Sequence, residues 1–259
     1  MRHHIKEIFS YNDMIGSLVK RELRGKYKGS VLGFLWTFIN PLCQIIVYTI
    51  VFSVILNSNL DKFYLYVITG MIPWLFFDMS LRIGSGCIRY QGEMIKKIYF
   101  PREVLPVSCV TAQFINMLFC FVIVFLVLLV SGAGVSLRAL FCLPMIMIME
   151  YMLTLGITLI ISSVTVFFKD MEHIITVVLM AWIYLTPILY PMDVVPERVR
   201  WLFKLNPMTA VIEGYHRILY WQQEPYWKLT IYGAVAAVMA LVVGELIFTR
   251  LDERFAEEL

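Results

Sequence analysis

The pattern of apolar and polar positions divides the chain into six long apolar runs separated by polar segments. The runs cover Val31–Leu56, Phe63–Ile83, Val104–Val130, Ala139–Phe168, Ile174–Tyr190 and Leu229–Phe248. A hydrocarbon core about 30 Å thick needs about 20 apolar residues in helical conformation, and most of the runs reach this length. The pattern therefore predicts an all-α integral membrane protein with six transmembrane helices.

The composition of the chain excludes a soluble alternative. Hydrophobic residues make up 60% of its 259 residues, and the mean hydropathy is +0.76. A soluble domain of this size cannot bury so much apolar side-chain surface. No segment outside the runs is long enough for a separate soluble domain, so we predict that residues 1–259 form a single transmembrane domain.

The distribution of positive charge predicts how the chain is oriented. Basic residues gather before the first run and again in residues 84–103, whereas the segments after the first and third runs contain only Lys62 and Arg138 as basic residues. The six runs predict a multi-pass protein. By the positive-inside rule, we expect both of its termini to be cytoplasmic. Residues 191–228 carry five basic residues on the predicted outer side. Four acidic residues accompany them, and long loops weigh less in the rule.

Two basic segments on the predicted inner side have the pattern of amphipathic helices. In residues 13–30, apolar side chains recur at helical spacing among lysines and arginines, which is typical of a helix lying at the membrane interface. Residues 90–100 form a shorter pattern that ends at Pro101. Such a helix either docks in a groove of a partner or rests on lipid, and the pattern alone favours neither.

The long segment 191–228 predicts two further short helices. Val199–Leu205 and Thr209–Tyr220 alternate charged with aromatic and aliphatic residues, and Asn206-Pro207 separates them. Neither is long enough to cross a bilayer. We expect both to lie at the outer interface or to dip into it, where Trp and Tyr side chains are favoured.

Polar residues inside the runs need partners at membrane depth. Asp78 is followed four residues later by Arg82, so an ion pair on one helix face is expected. Glu150 has no such partner on its own helix, and a hydrogen bond to a neighbouring helix is predicted for it. Pro41 leaves a backbone carbonyl of the preceding turn without its donor, and the adjacent Asn40 is a candidate to satisfy it.

Motifs for chemistry are absent from the sequence. It contains no GxxxxGK[ST] loop for ATP phosphates, no HExxH and no GxSxG. The five cysteines are scattered and lack metal-ligand spacing. We therefore predict no catalytic residue, no metal site and no cofactor bound by this chain.

Four segments in order carry a resemblance to a known family. They are LVKRELRGKYKGSVLGFLWTFINPL at 18–42, IKKIYFPREVLP at 95–106, VFFKDMEHI at 166–174, and LTPILYP followed by LNPMTAVIEGYHRILY within 185–220. In their order and spacing the chain resembles the permease subunits of type 2 ABC exporters that carry lipid-linked polysaccharides. These include O-antigen, capsule and teichoic acid exporters.

The resemblance implies a role for each short helix. Residues 1–30 become the interface helix, residues 90–100 the coupling helix that docks on a separate ATPase subunit, and the turn 166–173 a second contact with it. Residues 194–221 become external gate helices. The residues implied in ATPase coupling are Glu93, Ile95, Lys96, Ile98, Tyr99, Arg102, Lys169 and Asp170, and those implied in the gate are Trp201, Phe203, Tyr215 and Tyr220.

The resemblance also implies partners, location and substrate. It predicts a homodimer in the cytoplasmic (inner) membrane. Two P-loop ATPase subunits would associate with it and would bind ATP and Mg²⁺. No nucleic-acid partner is expected. A polyprenyl-diphosphate-linked glycan would pass between the two permeases. Aromatic rings offer flat faces to the C–H faces of sugars, although aromatics in spans also serve packing. The candidates for lining such a tunnel are Trp36, Phe38, Tyr48, Trp74, Phe77, Tyr151, Trp182 and Tyr184.

Two other functions remain open at this level. One is an ABC exporter permease of the same architecture for a drug or a lipid. The other is an integral membrane transferase acting on polyprenyl lipids, against which the missing catalytic cluster counts. A neighbouring ATPase gene together with glycosyltransferase genes would favour the glycan exporter.

We expect the purified chain to hydrolyse no ATP by itself, because the sequence has no phosphate-binding loop. Phosphate release from the detergent-solubilised chain, measured after removal of contaminating ATPases, should stay at the level of a protein-free blank. Hydrolysis that co-elutes with the chain over two different columns would contradict this prediction.

Overall fold

The computed structural model describes residues 10–25, 29–55, 60–134 and 136–258, and all the elements in these ranges are helical. The α-helices are α1 (Asn12–Gly25), α2 (Trp36–Thr49), α3 (Phe63–Gly86), α4 (Gly92–Lys97), α5 (Val104–Val130), α6 (Leu137–Leu140), α7 (Leu143–Phe167), α8 (Met171–Trp182), α9 (Glu197–Leu205), α10 (Pro207–Tyr215), α11 (Trp227–Asp252) and α12 (Phe255–Glu258). The predicted all-α class is thus confirmed. The predicted interface helix 1–30 and first span 31–56 extend into residues outside the described ranges.

Short irregular turns extend some of these helices. A 3₁₀ turn at Gly33–Leu35 leads into α2, and a wider π turn at Ile50–Ile55 continues it. Another 3₁₀ turn, Arg89–Gln91, precedes α4, and a third, Ile183–Leu185, ends α8. A π turn at His216–Tyr220 follows α10.

The count of six full spans is not confirmed. Among the described residues, five helical stretches are long and apolar enough to cross a membrane: Gly33–Ser53, Phe63–Gly86, Val104–Val130, Leu137–Phe167 and Trp227–Asp252. In place of the predicted span Ile174–Tyr190, the chain has the shorter apolar helix Met171–Leu185. At 1.5 Å per residue this helix is about 22 Å long, less than the hydrocarbon thickness. Pro187 lacks the backbone N–H that a continued helix would need.

The connecting segments nevertheless collect at two ends of the bundle, as six crossings require. At the end that we call the basic end, a buried cluster joins α1, the segment before α5, and the ends of α7 and α11 through residues such as Leu18, Phe100, Val166 and Phe248. At the opposite end, Lys62 Nζ donates to the Ser131 carbonyl (2.9 Å), and Arg138 pairs with Glu224 (2.6 Å). The short α8 begins beside Arg89 at the basic end and ends beside Asn206 at the opposite end, so it connects the same two ends as the long helices do.

Close helix packing forms the centre of the bundle. Helix α3 is buried along nearly its whole length, and α7 and α11 make the most extensive contact. This contact depends on Gly156 and Gly244: a Cβ at Gly156 would lie 2.3 Å from the Ala240 carbonyl carbon, and one at Gly244 would lie 2.3 Å from the Gly156 oxygen. Small residues let the two backbones approach as in other membrane helix pairs.

Helix α10 enters the bundle from the end opposite the basic end without crossing it. Nearly all of its residues are buried, and it packs against α11, α7 and α3. Asn206 starts the helix, since its Oδ1 accepts the Met208 N–H (3.0 Å) and the Trp182 Nε1–H (3.0 Å). The Asn206 Nδ2 donates to the Leu185 carbonyl (3.0 Å), so one side chain joins the end of α8 to the start of α10. The predicted pair of short helices is confirmed, and the second is buried more deeply than an interfacial helix.

Two of the predicted pairings of intramembrane polar residues are confirmed. Arg82 donates to both carboxylate oxygens of Asp78, through Nε (2.7 Å) and Nη2 (3.0 Å). The Tyr215 hydroxyl of α10 donates to Glu150 Oε2 of α7 at 2.6 Å, and both side chains are fully buried. Glu150 therefore connects a spanning helix to the re-entrant helix.

The expectation for Asn40 is wrong. Pro41 leaves the Thr37 carbonyl without its helical donor, and this oxygen accepts a hydrogen bond from the Cys120 thiol of α5 at 3.5 Å. A donor on a neighbouring helix thus takes the place that the sequence suggested for Asn40. The Asn40 side chain instead lines a cavity.

The Glu150–Tyr215 hydrogen bond predicts the behaviour of Tyr215→Phe. Removal of the hydroxyl leaves a buried carboxyl group without its partner, which we expect to cost about 1–3 kcal/mol. The midpoint of thermal unfolding in detergent should fall for this variant and should recover in Glu150→Leu/Tyr215→Phe, which removes both polar groups. Tyr64→Phe, at a partly exposed position, is the matched control and should leave the midpoint unchanged. An unchanged midpoint for Tyr215→Phe would show that the hydrogen bond does not stabilise the bundle.

Candidate functional site

The basic end of the bundle presents an exposed surface with apolar side chains that the chain itself does not cover. Ile98 is 57% exposed, Tyr99 is 89% exposed and Phe168 is 67% exposed. Lys96 and the neighbouring turn residues Lys169 and Asp170 are exposed as well. We call the exposed parts of residues 90–99 and 168–170 the docking face. Its mixture of exposed apolar groups and charges is typical of a surface that binds another protein.

Glu172 joins the two parts of the docking face. Its carboxylate lies 2.8 Å from Arg89 Nη1, and its Oε2 accepts a hydrogen bond from the Tyr90 hydroxyl at 2.7 Å. This hydrogen bond raises the pKa of Tyr90. Arg89 and Tyr90 lie just before α4, whereas Glu172 lies in the first turn of α8. The turn between α7 and α8 therefore cannot shift relative to α4 without breaking this cluster.

The segment 90–100 differs in shape from the predicted coupling helix. The α-helix ends at Lys97, and Ile98 has an extended backbone (φ −133°, ψ 132°). Ile98 and Tyr99 therefore do not share a helical face with Met94 and Ile95. The latter two pack against the buried cluster of the basic end.

Two charged residues assigned to coupling make contacts within the chain. Arg102 Nη1 lies 3.2 Å from Asp252 Oδ1 and also donates to the Asp252 carbonyl, so it joins the start of α5 to the end of α11. Glu93 pairs with Lys97 at 3.1 Å on the exposed side of α4. Helix α1 is attached to the same region, since Arg21 donates to Gln91 Oε1 at 2.7 Å.

A lateral groove with a volume of about 760 Å³ runs between α2, α3 and α8. Three of the predicted tunnel aromatics line it: Tyr48, Trp74 and Tyr184. The Asp78–Arg82 ion pair lines its part nearer the basic end, and Gln44 adds a carboxamide. The groove thus offers aromatic faces, a neutral hydrogen-bonding group and one ion pair along a single surface.

The other predicted tunnel aromatics lie away from this groove. Phe77 has no exposed surface and packs edge-on against Trp182, at 5.2 Å between ring centroids, so it serves the interior. The Tyr151 hydroxyl pairs with Thr111 at 2.8 Å inside the bundle. Phe38 packs edge-on against Phe34, and Trp36 donates to Ser30 Oγ at 3.1 Å.

The predicted gate residues divide between the interior and the surface. Tyr215 is buried against Glu150, Phe203 is nearly buried beside Tyr190, and Trp201 is 58% exposed. We call residues 194–222 the gate segment, after the role predicted for 194–221. The Tyr220 hydroxyl donates to the Asp61 carbonyl, which connects the end of this segment to the start of α3.

A histidine fastens the gate segment to α3. His216 is fully buried, its ring stacks on Tyr66 at 3.8 Å, and its Nε2–H donates to the Tyr66 carbonyl at 3.1 Å. Burial lowers the pKa of His216 to about 3, so the ring is neutral. Gly70 makes room for this ring, since a Cβ there would lie 2.5 Å from His216 Nε2.

Sequence reasoning missed several residues that organise the site. Glu172, Arg89 and Tyr90 were not singled out, because their connection spans more than 80 positions of the chain and has no local spacing pattern. Asn206 was noted only as a separator of two helices. Its place before a proline at the start of a helix is a recognisable capping signal, but its bonds to Trp182 and Leu185 are long-range.

Comparison with known proteins agrees with this architecture. Residues 14–220 match the family model described as the ABC-2 type transporter. The chain is 31% identical over 257 residues to the O-antigen export system permease protein RfbA of Myxococcus xanthus, with 98% of each chain covered. It is 30% identical to the protein of the same name from Klebsiella pneumoniae, with 99% of this chain and 98% of the relative covered.

A more distant relative extends the comparison to capsule transport. The chain is 23% identical over 206 residues to the polysialic acid transport protein KpsM of Escherichia coli. The aligned residues cover 77% of this chain and 78% of the relative. The family match spans most of the chain and includes the docking face, the groove and the gate segment. The chain therefore belongs to the ABC-2 type transporter family.

Proposed function

We propose that this chain is the membrane-spanning subunit of an ATP-driven exporter that carries a lipid-linked polysaccharide of the O-antigen or capsule type. The observation that carries the proposal is about 30% identity, over nearly the whole chain, to permeases named for O-antigen export. In this arrangement a separate P-loop subunit binds ATP and Mg²⁺, and this chain contributes the path through the membrane.

The groove between α2, α3 and α8 supports this substrate class. Sugar rings have apolar C–H faces that pack on aromatic rings, and hydroxyl groups that exchange hydrogen bonds with carboxamides. Tyr48, Tyr184 and Gln44 supply these groups along one surface, whereas Trp74 is 2% exposed and packs behind it. Since none of these groups demands a single hydrogen-bond pattern, a polymer can move past them. A diphosphate-linked head group would meet Arg82 at the part nearer the basic end.

The open side of the groove supports a homodimer. Most of α2 is exposed in the single chain, and apolar side chains on α2 and α8 flank the groove without cover. These side chains are Ile46, Val47, Ile50, Val177 and Met180. A second copy placed against them would close the groove into a tunnel. The assembly would then contain two permeases and two ATPase subunits.

The docking face supports coupling to the ATPase. We assign Ile98 and Tyr99 to the contact, because they are exposed and lie on the segment just after α4. Lys96, Lys169 and Asp170 form its charged surroundings. Ile95 and Arg102 act from behind this surface, since the first packs into the buried cluster and the second bonds to Asp252.

Charge and the grouping of segments support an orientation in the inner membrane with the basic end in the cytoplasm. ATP is available there, and the positive-inside rule favours the same side. The gate segment then lies on the outer side. Its hydrogen bonds from Tyr220 and Gln222 to the segments around Asp61 and Ala133 hold it across the outer end of the bundle.

Ile98→Asp tests the coupling role and the export function together. The change puts a charge into a docking contact, which we expect to weaken co-purification with the ATPase by at least about tenfold and to abolish ATP-dependent movement of lipid-linked glycan in vesicles. Leu137→Asp is the matched control, because Leu137 is similarly exposed at the opposite end and lies outside residues 194–221. If the wild-type complex moves no glycan, the proposed function is wrong. If Ile98→Asp exports normally, the docking assignment is wrong.

Glu172→Ala tests whether the two parts of the docking face act as one. Loss of the carboxylate frees Arg89 and Tyr90, so α4 and the α7–α8 turn can move separately. We expect the ATPase to remain bound while export per ATP hydrolysed falls by about tenfold, because a coupling free energy of the size typical between two sites is lost. Glu172→Gln, which keeps an acceptor for Tyr90, should fall between this variant and the wild type. Asp61→Ala, which removes an exposed carboxylate at the opposite end and outside residues 194–221, is the control. An unchanged ratio of export to hydrolysis in Glu172→Ala would overturn the prediction.

A further inference from the structure

A second cavity, with a volume of about 110 Å³, lies between α2, α3 and α5 and adjoins the groove. Four carboxamide side chains line it: Asn40, Gln44, Gln113 and Asn116. Among the described residues that line this cavity, none is Lys, Arg, Asp or Glu. We call it the amide pocket.

Two of these carboxamides are buried and incompletely paired. Gln113 is 3% exposed and Asn116 is 8% exposed. Asn116 Nδ2 donates to Gln113 Oε1 at 3.3 Å, which leaves Gln113 Nε2 as a donor and Asn116 Oδ1 as an acceptor without partners among the described residues. They are the tenth and thirteenth residues of the 27-residue α5, so they lie near the middle of a spanning helix. Unpaired polar atoms at this depth are costly, because the bilayer core offers no water.

We propose that the amide pocket binds an uncharged, hydroxyl-bearing group, either a sugar of the lipid-linked glycan or the polyol part of a membrane lipid. A hydroxyl group both donates and accepts, so one such group pairs the orphaned Asn116 Oδ1 and a second accepts from Gln113 Nε2. The rest of the lining is largely apolar, with Pro41, Ile72, Leu75 and Met117 facing the C–H groups of such a ligand.

The size and lining of the pocket exclude other classes of ligand. A cavity of about 150 Å³ is known to accept a six-membered ring such as benzene, so this pocket admits a short polyol or part of a sugar ring. A charged group would lack a counter-ion there, and a hydrocarbon chain would leave the carboxamides unpaired.

The pocket is placed beside the groove rather than apart from it. Gln44 of α2 and Leu75 of α3 line both cavities, so the two spaces adjoin along the contact of these helices. A ligand in the pocket would therefore contact the same two helices that line the groove. The site itself does not rest on the proposed export function, although its assignment to a glycan sugar does.

Photo-crosslinking in native membranes tests the proposal with the full chain and its partner subunit. A diazirine amino acid is placed at Met79, which lines the pocket and is partly exposed, and in a separate sample at Val122, which is exposed elsewhere on α5. Adducts are identified by mass spectrometry after proteolysis. We expect Met79 adducts to contain a saccharide or polyol group. Gln113→Leu/Asn116→Leu should reduce their yield by about tenfold and leave the Val122 adducts unchanged.

The source of the ligand is decided in cells blocked in glycan synthesis. Persistence of the Met79 adduct there assigns the pocket to a membrane lipid, and its loss assigns it to a sugar of the glycan. Either result supports a hydroxyl-binding site, and neither requires export to be measured. Met79 adducts that match those at Val122, or that the double variant does not change, would show that no hydroxyl-bearing ligand occupies the pocket and would overturn the proposal. Gln113→Met, the closest change in shape, replaces the double variant if that protein does not fold.

Discussion

The structure depends on the pairing of buried polar groups, and the Glu150–Tyr215 hydrogen bond is its central case. An acidic side chain in the middle of a spanning helix is tolerated only where a partner faces it. Here the partner comes from α10, which enters the bundle without crossing it. The bond, at 2.6 Å, joins the re-entrant helix to α7. His216 and Tyr66 make a second connection, to α3, so the gate segment is fastened to two spanning helices.

At the basic end, ion pairs and hydrogen bonds nearer the surface connect the helices in a similar way. Glu172 holds Arg89 and Tyr90, so that the segment before α4 and the start of α8 move together. Arg102 bonds to Asp252, which joins the start of α5 to the end of α11. A displacement of the docking face is therefore passed to the start of α8, and α8 also borders the groove.

Helices α2 and α3 both line the groove and the amide pocket, and α2 is the more exposed of the two. It is exposed along most of its length, and Gln44 contributes to the groove and to the amide pocket. Its proline-freed carbonyl is held by the Cys120 thiol, a weak donor. In the single chain, α2 is therefore packed less tightly than α3.

The sequence by itself determined the helical class, five of the long spans and the presence of short helices near residues 90–100 and 194–221. Hydropathy, helical spacing and charge are local properties, so a single chain displays them. The Asp78–Arg82 pair was predictable for the same reason, since its members lie one turn apart. Only the tertiary structure decided that the fifth run is a short helix, that Ile98 leaves the helical face of Ile95, and that Cys120 rather than Asn40 serves the freed carbonyl. These outcomes depend on which groups meet across the bundle, and no local pattern encodes that meeting.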